Sequence, residues 1–158
     1  MFNNKQRMDD WTVSEIFLDL LQDKLLNFQK FYDQSVLERD ALRKHDVNEL
    51  LSILQGKSEL QQQVNHLDKQ IHQLRLNNPE FITEMNEEQN AEFKDTINLM
   101  VELLQKIIDY EARNREIAIA AKSAIQQDLN QLRTGNKILK SYFSSKQTRH
   151  ARFLDKTH

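Results

Sequence analysis

Only three positions in this chain oppose a helix outright: Gly56, Pro79 and Gly135. With two glycines and one proline in 158 residues, the tight turns that join β-strands have almost nothing to be built from. Strand architectures are thereby nearly excluded, and helix is what remains. Charged residues make up 29% of the chain and hydrophobic residues 39%, a balance suited to helices that bury one apolar stripe and solvate the rest. The length fits one compact domain.

Three periodic stretches carry the prediction of an all-α fold. In the first, Thr12 or Ser14 is placed to cap free amides, and Leu18, Leu21, Leu25, Phe28 and Tyr32 alternate steps of three and four, which draws one stripe along a helix. Val36 and Leu42 extend it to His45. Asp46 followed by Glu49 has the form of a capping pair, with the aspartate taking free N–H groups and the glutamate reaching back. The sequence leaves open whether the first two helices are one rod or are broken near His45 and Asp46.

The second stretch places Leu50, Ile53, Lys57, Leu60, Val64, Leu67, Ile71 and Leu74 on one seam, a coiled-coil pattern interrupted only by Lys57. Asn77, Asn78 and Pro79 end it, because proline lacks an amide donor and restricts the residue before it. An acidic connector from Phe81 to Glu92 leads to the third seam. That seam runs through Phe93, Ile97, Met100, Leu104, Ile107, Glu111, Asn114, Ala118, Ala121, Ile125, Asp128 and Leu132. Asn114 has two readings: an amide buried to set helix register, or a polar contact to a client.

Thr134, Gly135 and Asn136 are expected to break the third helix, since glycine and asparagine accept left-handed geometry. Beyond them lies a basic tail. Thr134 to His158 holds six Lys/Arg and one Asp, which leaves about −7 on the rest of a chain of net charge −2. Ile138, Leu139, Tyr142 and Phe143 are set among its lysines, and a helix over Lys137–Phe143 would be too short to persist alone in water. The expected architecture is an elongated antiparallel hairpin or bundle of three long helices with a short C-terminal helical tail. Its divisions are an N-terminal tail over 1–13, the bundle over 14–133 and a mobile basic tail over 134–158.

The chemistry-bearing residues are sparse. Absence of cysteine removes thiolate nucleophiles, iron–sulfur clusters and disulfides, and permits a reducing compartment. Gly56, Lys57 and Ser58 look like the end of a phosphate-binding loop, but Leu51 stands where the first glycine is required, and the motif fails. His66 and His72 are six apart and lie on different helix faces, while His150 and His158 sit in the tail, so no metal or other cofactor is expected. His45 and Glu49 read as a surface pair. The carboxylates are scattered over helical surfaces, with no apolar pocket to tune one for acid/base work. The expectation is a non-enzymatic protein. No apolar run reaches the length of a membrane span and Met1 to Asp10 lacks a signal-like apolar core, which points to the cytoplasm and against membrane insertion.

The order of segments resembles the flagellar FlgN-type export chaperones. The likeness lies in a second helix with Lys57, Ser58, Leu60, Val64 and Leu67, a long third helix through Asn114, and a tail with Gly135, Ile138, Tyr142, Arg152, Phe153, Leu154, Asp155 and Lys156. The resemblance implies a cytoplasmic chaperone that holds hook-associated proteins, those of the hook–filament junction, and delivers them to the export gate of the flagellar type III apparatus. It also implies that Tyr142 matches a tail tyrosine linked to that gate. From the residues themselves, Ile138, Leu139, Tyr142 and Phe143 have the spacing of anchors for a client helix. The alternative is that these four fold back as the last turn of the core. In the chaperone reading a weakly docked tail exchanges its own contact for the client's.

Two other classes compete. A structural or scaffolding coiled coil, including a homodimer, explains the seams but leaves the apolar residues of the basic tail without a task. Nucleic-acid or membrane-surface binding would use Lys137, Lys140, Lys146, Arg149, Arg152 and Lys156 with the tail aromatics. The acidic body opposes that class, and no nucleic-acid partner is expected.

Overall fold

The structure is a computed structural model that describes residues 11–154, with side chains described over 11–144. It is all-α, and no strand occurs among the described residues. The helices are α1 (Val13–Lys44), α2 (Val47–Asn77), the single-turn α3 (Phe81–Glu84) and α4 (Glu87–Leu154). The chain packs as two units, Met1–Ile117 and Ala118–His158.

Local chemistry sets the helix ends. Thr12 Oγ1 accepts from the Glu15 amide at 3.3 Å while Glu15 Oε2 accepts from the Thr12 amide at 2.7 Å, a closed capping box that starts α1. His45 stops it in the left-handed conformation, φ 54°. The amides of His45 and Asp46 then return to Leu42 O and Ala41 O, which satisfies carbonyls the helix would otherwise orphan. The first two helices are therefore broken at His45. Asp46 caps α2 by accepting from the Glu49 amide at 3.0 Å. No ion pair joins His45 to Glu49 among the described residues; the histidine acts through its backbone. Asn78 closes α2 with its amide and its side-chain Nδ2 both on Leu74 O, and Pro79 follows. Asn86 and Gln89 exchange hydrogen bonds of 2.8 and 3.2 Å and start α4 in the same way as Thr12 and Glu15 start α1.

Within the first unit, pairs along the helices give their directions. Lys24 meets Asp68 and Glu38 meets Lys57, so α2 runs antiparallel to α1. Gln22 meets Thr96 and Arg39 meets Asn114, so α4 runs parallel to α1. At one end Phe17, Leu21, Phe81 and Met100 form a buried cluster extended by Leu25, Phe28, Ile71 and Leu74. The acidic connector that begins at Phe81 supplies its lid. Phe81 sits edge-on to Phe17, centroids 4.8 Å apart, and Met85 is buried too. Burying a phenylalanine of this kind stabilises by about 1.5 to 3 kcal/mol. On α4, Leu103 is buried and Leu104 is exposed, so the seam passes one position earlier than Leu104.

The second unit departs from the sequence reading more strongly. Thr134, Gly135 and Asn136 lie inside α4, and no glycine has a positive φ. Glycine permits the left-handed turn but does not oblige it, and interior glycine costs a helix only about 0.5 to 1 kcal/mol. Thr134 Oγ1 donates to Asn130 O at 2.9 Å, a back-bond compatible with continued helix. The short helix expected over Lys137–Phe143 is thus part of a 68-residue helix. The units divide after Ile117, whereas the sequence reading divided body from tail after Arg133. The side chains of His150, Arg152, Phe153 and Leu154, and residues 1–10 and 155–158 entirely, lie outside the described residues.

Candidate functional site

Two features stand out, and they differ in kind. The first is a polar layer inside the three-helix unit. Lys57, which interrupts the α2 seam, is 6% exposed. Its Nζ donates to Glu38 of α1 and, at 2.5 Å, to Glu111 of α4. Glu111 Oε1 also accepts from Ser35 Oγ at 2.6 Å, and Ser35 is wholly buried. One turn further on, Asn114 is 1% exposed. Its Nδ2 donates to Ser35 O at 2.8 Å, and its Oδ1 accepts from Arg39 Nε at 3.1 Å. Both ends of the Asn114 amide are thus spent inside the fold.

The layer is balanced in charge. Lys57 and Arg39 offset Glu38 and Glu111, and each cation also faces a ring: Arg39 lies 3.7 Å from the Tyr110 centroid and Lys57 4.9 Å from that of Phe31. Tyr110 in turn packs edge-on against Tyr32. A buried ion pair recovers its desolvation cost only when geometry is good and remaining hydrogen bonds are satisfied; Arg39 Nη2 is buried without a hydrogen-bond partner, and the bonds that are made need all three long helices in register. The layer's task is alignment. Lys57 and Glu111 were both visible as polar residues of opposite sign on neighbouring seams, and pairing them was the signal available in the sequence. Glu38 was off the stripe drawn there and was missed.

The second feature is the face of α4 in the Ala118–His158 unit. Ile138, Leu139, Tyr142 and Phe143 are 64%, 54%, 55% and 63% exposed, with Tyr142 and Phe143 ring centroids 6.1 Å apart. These residues do not fold back as the last turn of a core. All four side chains are exposed on a helix, and the side chains after residue 144 lie outside the described residues. Leu139 and Phe143 are four apart and share one face, with Asn136 and Leu132 continuing it toward the N-terminus; Ile138 and Tyr142 form a parallel row beside them. Such a face suits another helix laid along it.

The remaining surface is plain. A shallow groove between α1 and α4 is apolar along Leu25, Leu26, Leu99 and Leu103 and edged by Glu102 and Lys106. Among the described residues no three His, Asp or Glu side chains are grouped as a metal site would need, and no helix is long and apolar enough to cross a membrane. No protein-family model, curated protein or solved structure matches the chain.

Proposed function

We propose that this chain is a cytoplasmic, non-enzymatic chaperone of the flagellar type III export apparatus. In this reading it binds hook–filament junction proteins through helix–helix contacts and presents them to the export gate. The observation that carries the proposal is the row of large apolar side chains exposed on α4, Ile138, Leu139 and Phe143, beside which Tyr142 is expected to contribute. An apolar helix face left in water is unfavourable by roughly 25 cal/mol for each Å² a partner would cover, and such faces mark interaction sites. A client that keeps a helical segment apolar on one side before assembly is a suitable occupant, and the resemblance of the segment order to FlgN-type chaperones supports that choice.

The neighbouring lysines define how the client arrives. Lys137 and Lys140 flank the apolar rows, so an acidic client or gate surface is steered toward them, with an association rate that falls as salt is raised. Binding needs no covalent step and stays reversible.

The test is co-purification of hook-associated proteins from an extract of flagellated cells, comparing the full chain with a chain ending at Arg133 and with the full-length double variant Leu139→Ala/Phe143→Ala. Capture by the full chain and loss in both variants is the expected result. Equal capture by all three moves the client site into the three-helix unit. No capture of a hook-associated protein by the full chain leaves the structural coiled coil as the reading that stands.

A further inference from the structure

In the stretch from Ile125 to Phe143, one set of residues steps four, three, four, three, four: Ile125, Leu129, Leu132, Asn136, Leu139 and Phe143. The five apolar members are each about half exposed or more, Leu132 reaching 65%. Written as a heptad, Ile125, Leu132 and Leu139 occupy d, and Leu129, Asn136 and Phe143 occupy a. Leu129 replaces Asp128 of the seam read from sequence, and the result is an apolar stripe with a single central asparagine. We infer that this stripe pairs with the same stripe of a second copy of the chain, as a parallel, in-register two-stranded coiled coil over residues 125–143.

Three observations choose a second copy rather than an arbitrary partner. The first is Asn136, a lone amide at an a position. It pairs well only with another amide, and in a parallel in-register dimer its neighbour across the axis is the same residue, so the layer fixes both register and strand number. The second is a hollow on this helix lined by Leu132, Gly135, Asn136 and Leu139, with Asp128 and Gln131 at its rim. Four residues at d, g, a and d are the hole into which an a-position knob inserts in a parallel pair. Gly135 adds no Cβ to that hole, and the space where one would stand holds no atom within 4 Å, so the facing Asn136 enters without displacing a side chain. The third is charge. Asp128 is at g and Arg133 at the following e, and in a parallel pair those positions meet across the interface, once on each side. An antiparallel pair would bring the e rows together and set Arg133 and Lys140 against like charges.

The stripe is short. Lys122 holds the a position before it, so fewer than three heptads are available, and the dimer forms and dissociates with concentration. Its consequence for the proposed function, which rests on that reading, is direct. Leu139 and Phe143 serve both the second copy and the client, and the two compete.

The full-length chain tests this. Because it contains no cysteine, a single Asn136→Cys reporter is unambiguous. Under mild oxidant it cross-links to a dimer when the pair is parallel and in register, whereas Gln127→Cys, on the outer face, does not. Sedimentation of the unmodified chain shows mass rising toward twice the monomer through the micromolar range. Asp128→Arg weakens that association roughly tenfold, and Asp128→Arg/Arg133→Asp restores it. A monomer throughout that range, or cross-linking at Gln127 as efficient as at Asn136, overturns the inference. A monomeric chain that still captures a hook-associated protein removes the dimer alone, and a dimer that captures none removes the chaperone reading alone.

Discussion

The two ends of α4 follow one periodicity and meet opposite fates. Met100, Leu103 and Ile107 are buried, while Ile125, Leu129 and Leu132, which also step by three and four, are exposed. Their asparagines make the same contrast. Asn114 has both amide ends bonded to α1, and Asn136 sits in an exposed row. Three-four spacing states that a face is meant to be covered. What covers it is a separate matter: helices of this chain cover the first stretch, and the second is exposed.

This contrast can be broken most forcefully at Lys57. Lys57→Ala leaves Glu38 and Glu111 facing each other without their shared cation, and a broken buried pair costs about 3 to 5 kcal/mol. Urea unfolding of the variant is expected to show that loss, with most of it recovered when Glu38→Gln and Glu111→Gln are added. Full stability in the single variant would mean that the polar layer does not hold the three helices in register. The next effect compares the two stretches residue for residue. Leu103→Ala is expected to destabilise by about 2 to 5 kcal/mol, and Leu132→Ala by less than about 0.5 kcal/mol in dilute monomer, both read from urea midpoints. Similar costs at both positions would erase the distinction.

Gly135→Ala sharpens the comparison in the opposite direction. The site has helical backbone and open space around the absent Cβ, so alanine adds about 0.5 to 1 kcal/mol of helix stability. Circular dichroism and amide exchange over residues 130–144 should report more helix. Less helix would restore the break expected from the sequence.

The smallest effect belongs to Asp19 on α1. Burial, and then the neighbouring charge of Asp23, raise its carboxyl above the ordinary 3.8. A raised carboxyl favours the protonated form in the folded state, so its contribution is present below pH 3.8 and is lost as pH rises through the higher folded value. Asp19→Asn should flatten stability against pH in that narrow acid window and leave the slope elsewhere unchanged. An unaltered slope there would show that Asp19 does not titrate differently in the folded chain.

The caps show how far local chemistry reaches. Thr12 with Glu15, Asp46 with the Glu49 amide, and Asn78 before Pro79 act within three or four residues of themselves. The stop before Pro79 was readable as written, whereas the order left Thr12 and Ser14 as alternative caps and suggested a return bond from the Glu49 side chain that the structure does not contain. The break at Gly135 failed for the same local reason turned around: glycine lowers the barrier to a turn, and nothing at that point requires one. Leu104 was placed on the buried seam in place of Leu103 because both fit a helical stripe to within one position. Only the location of α1 and α2 separates them. Glu38 was overlooked because its value lies in a partner on another helix.

From the chain alone came the all-helical class, the three long periodic segments, the interruption at Asn77, Asn78 and Pro79 and the residues to watch, Lys57, Asn114, Leu139 and Phe143 among them, while the break at His45 was left open. These follow from interactions between residues a few positions apart, which any reader of the order can trace. Tertiary structure decided the rest: that Lys57 joins Glu38 and Glu111, that Asn114 is sealed inside, and that Ile125, Leu129, Leu132, Leu139 and Phe143 are exposed. Burial and pairing depend on which distant surfaces come together, and helical periodicity gives the direction of a face without naming what it meets.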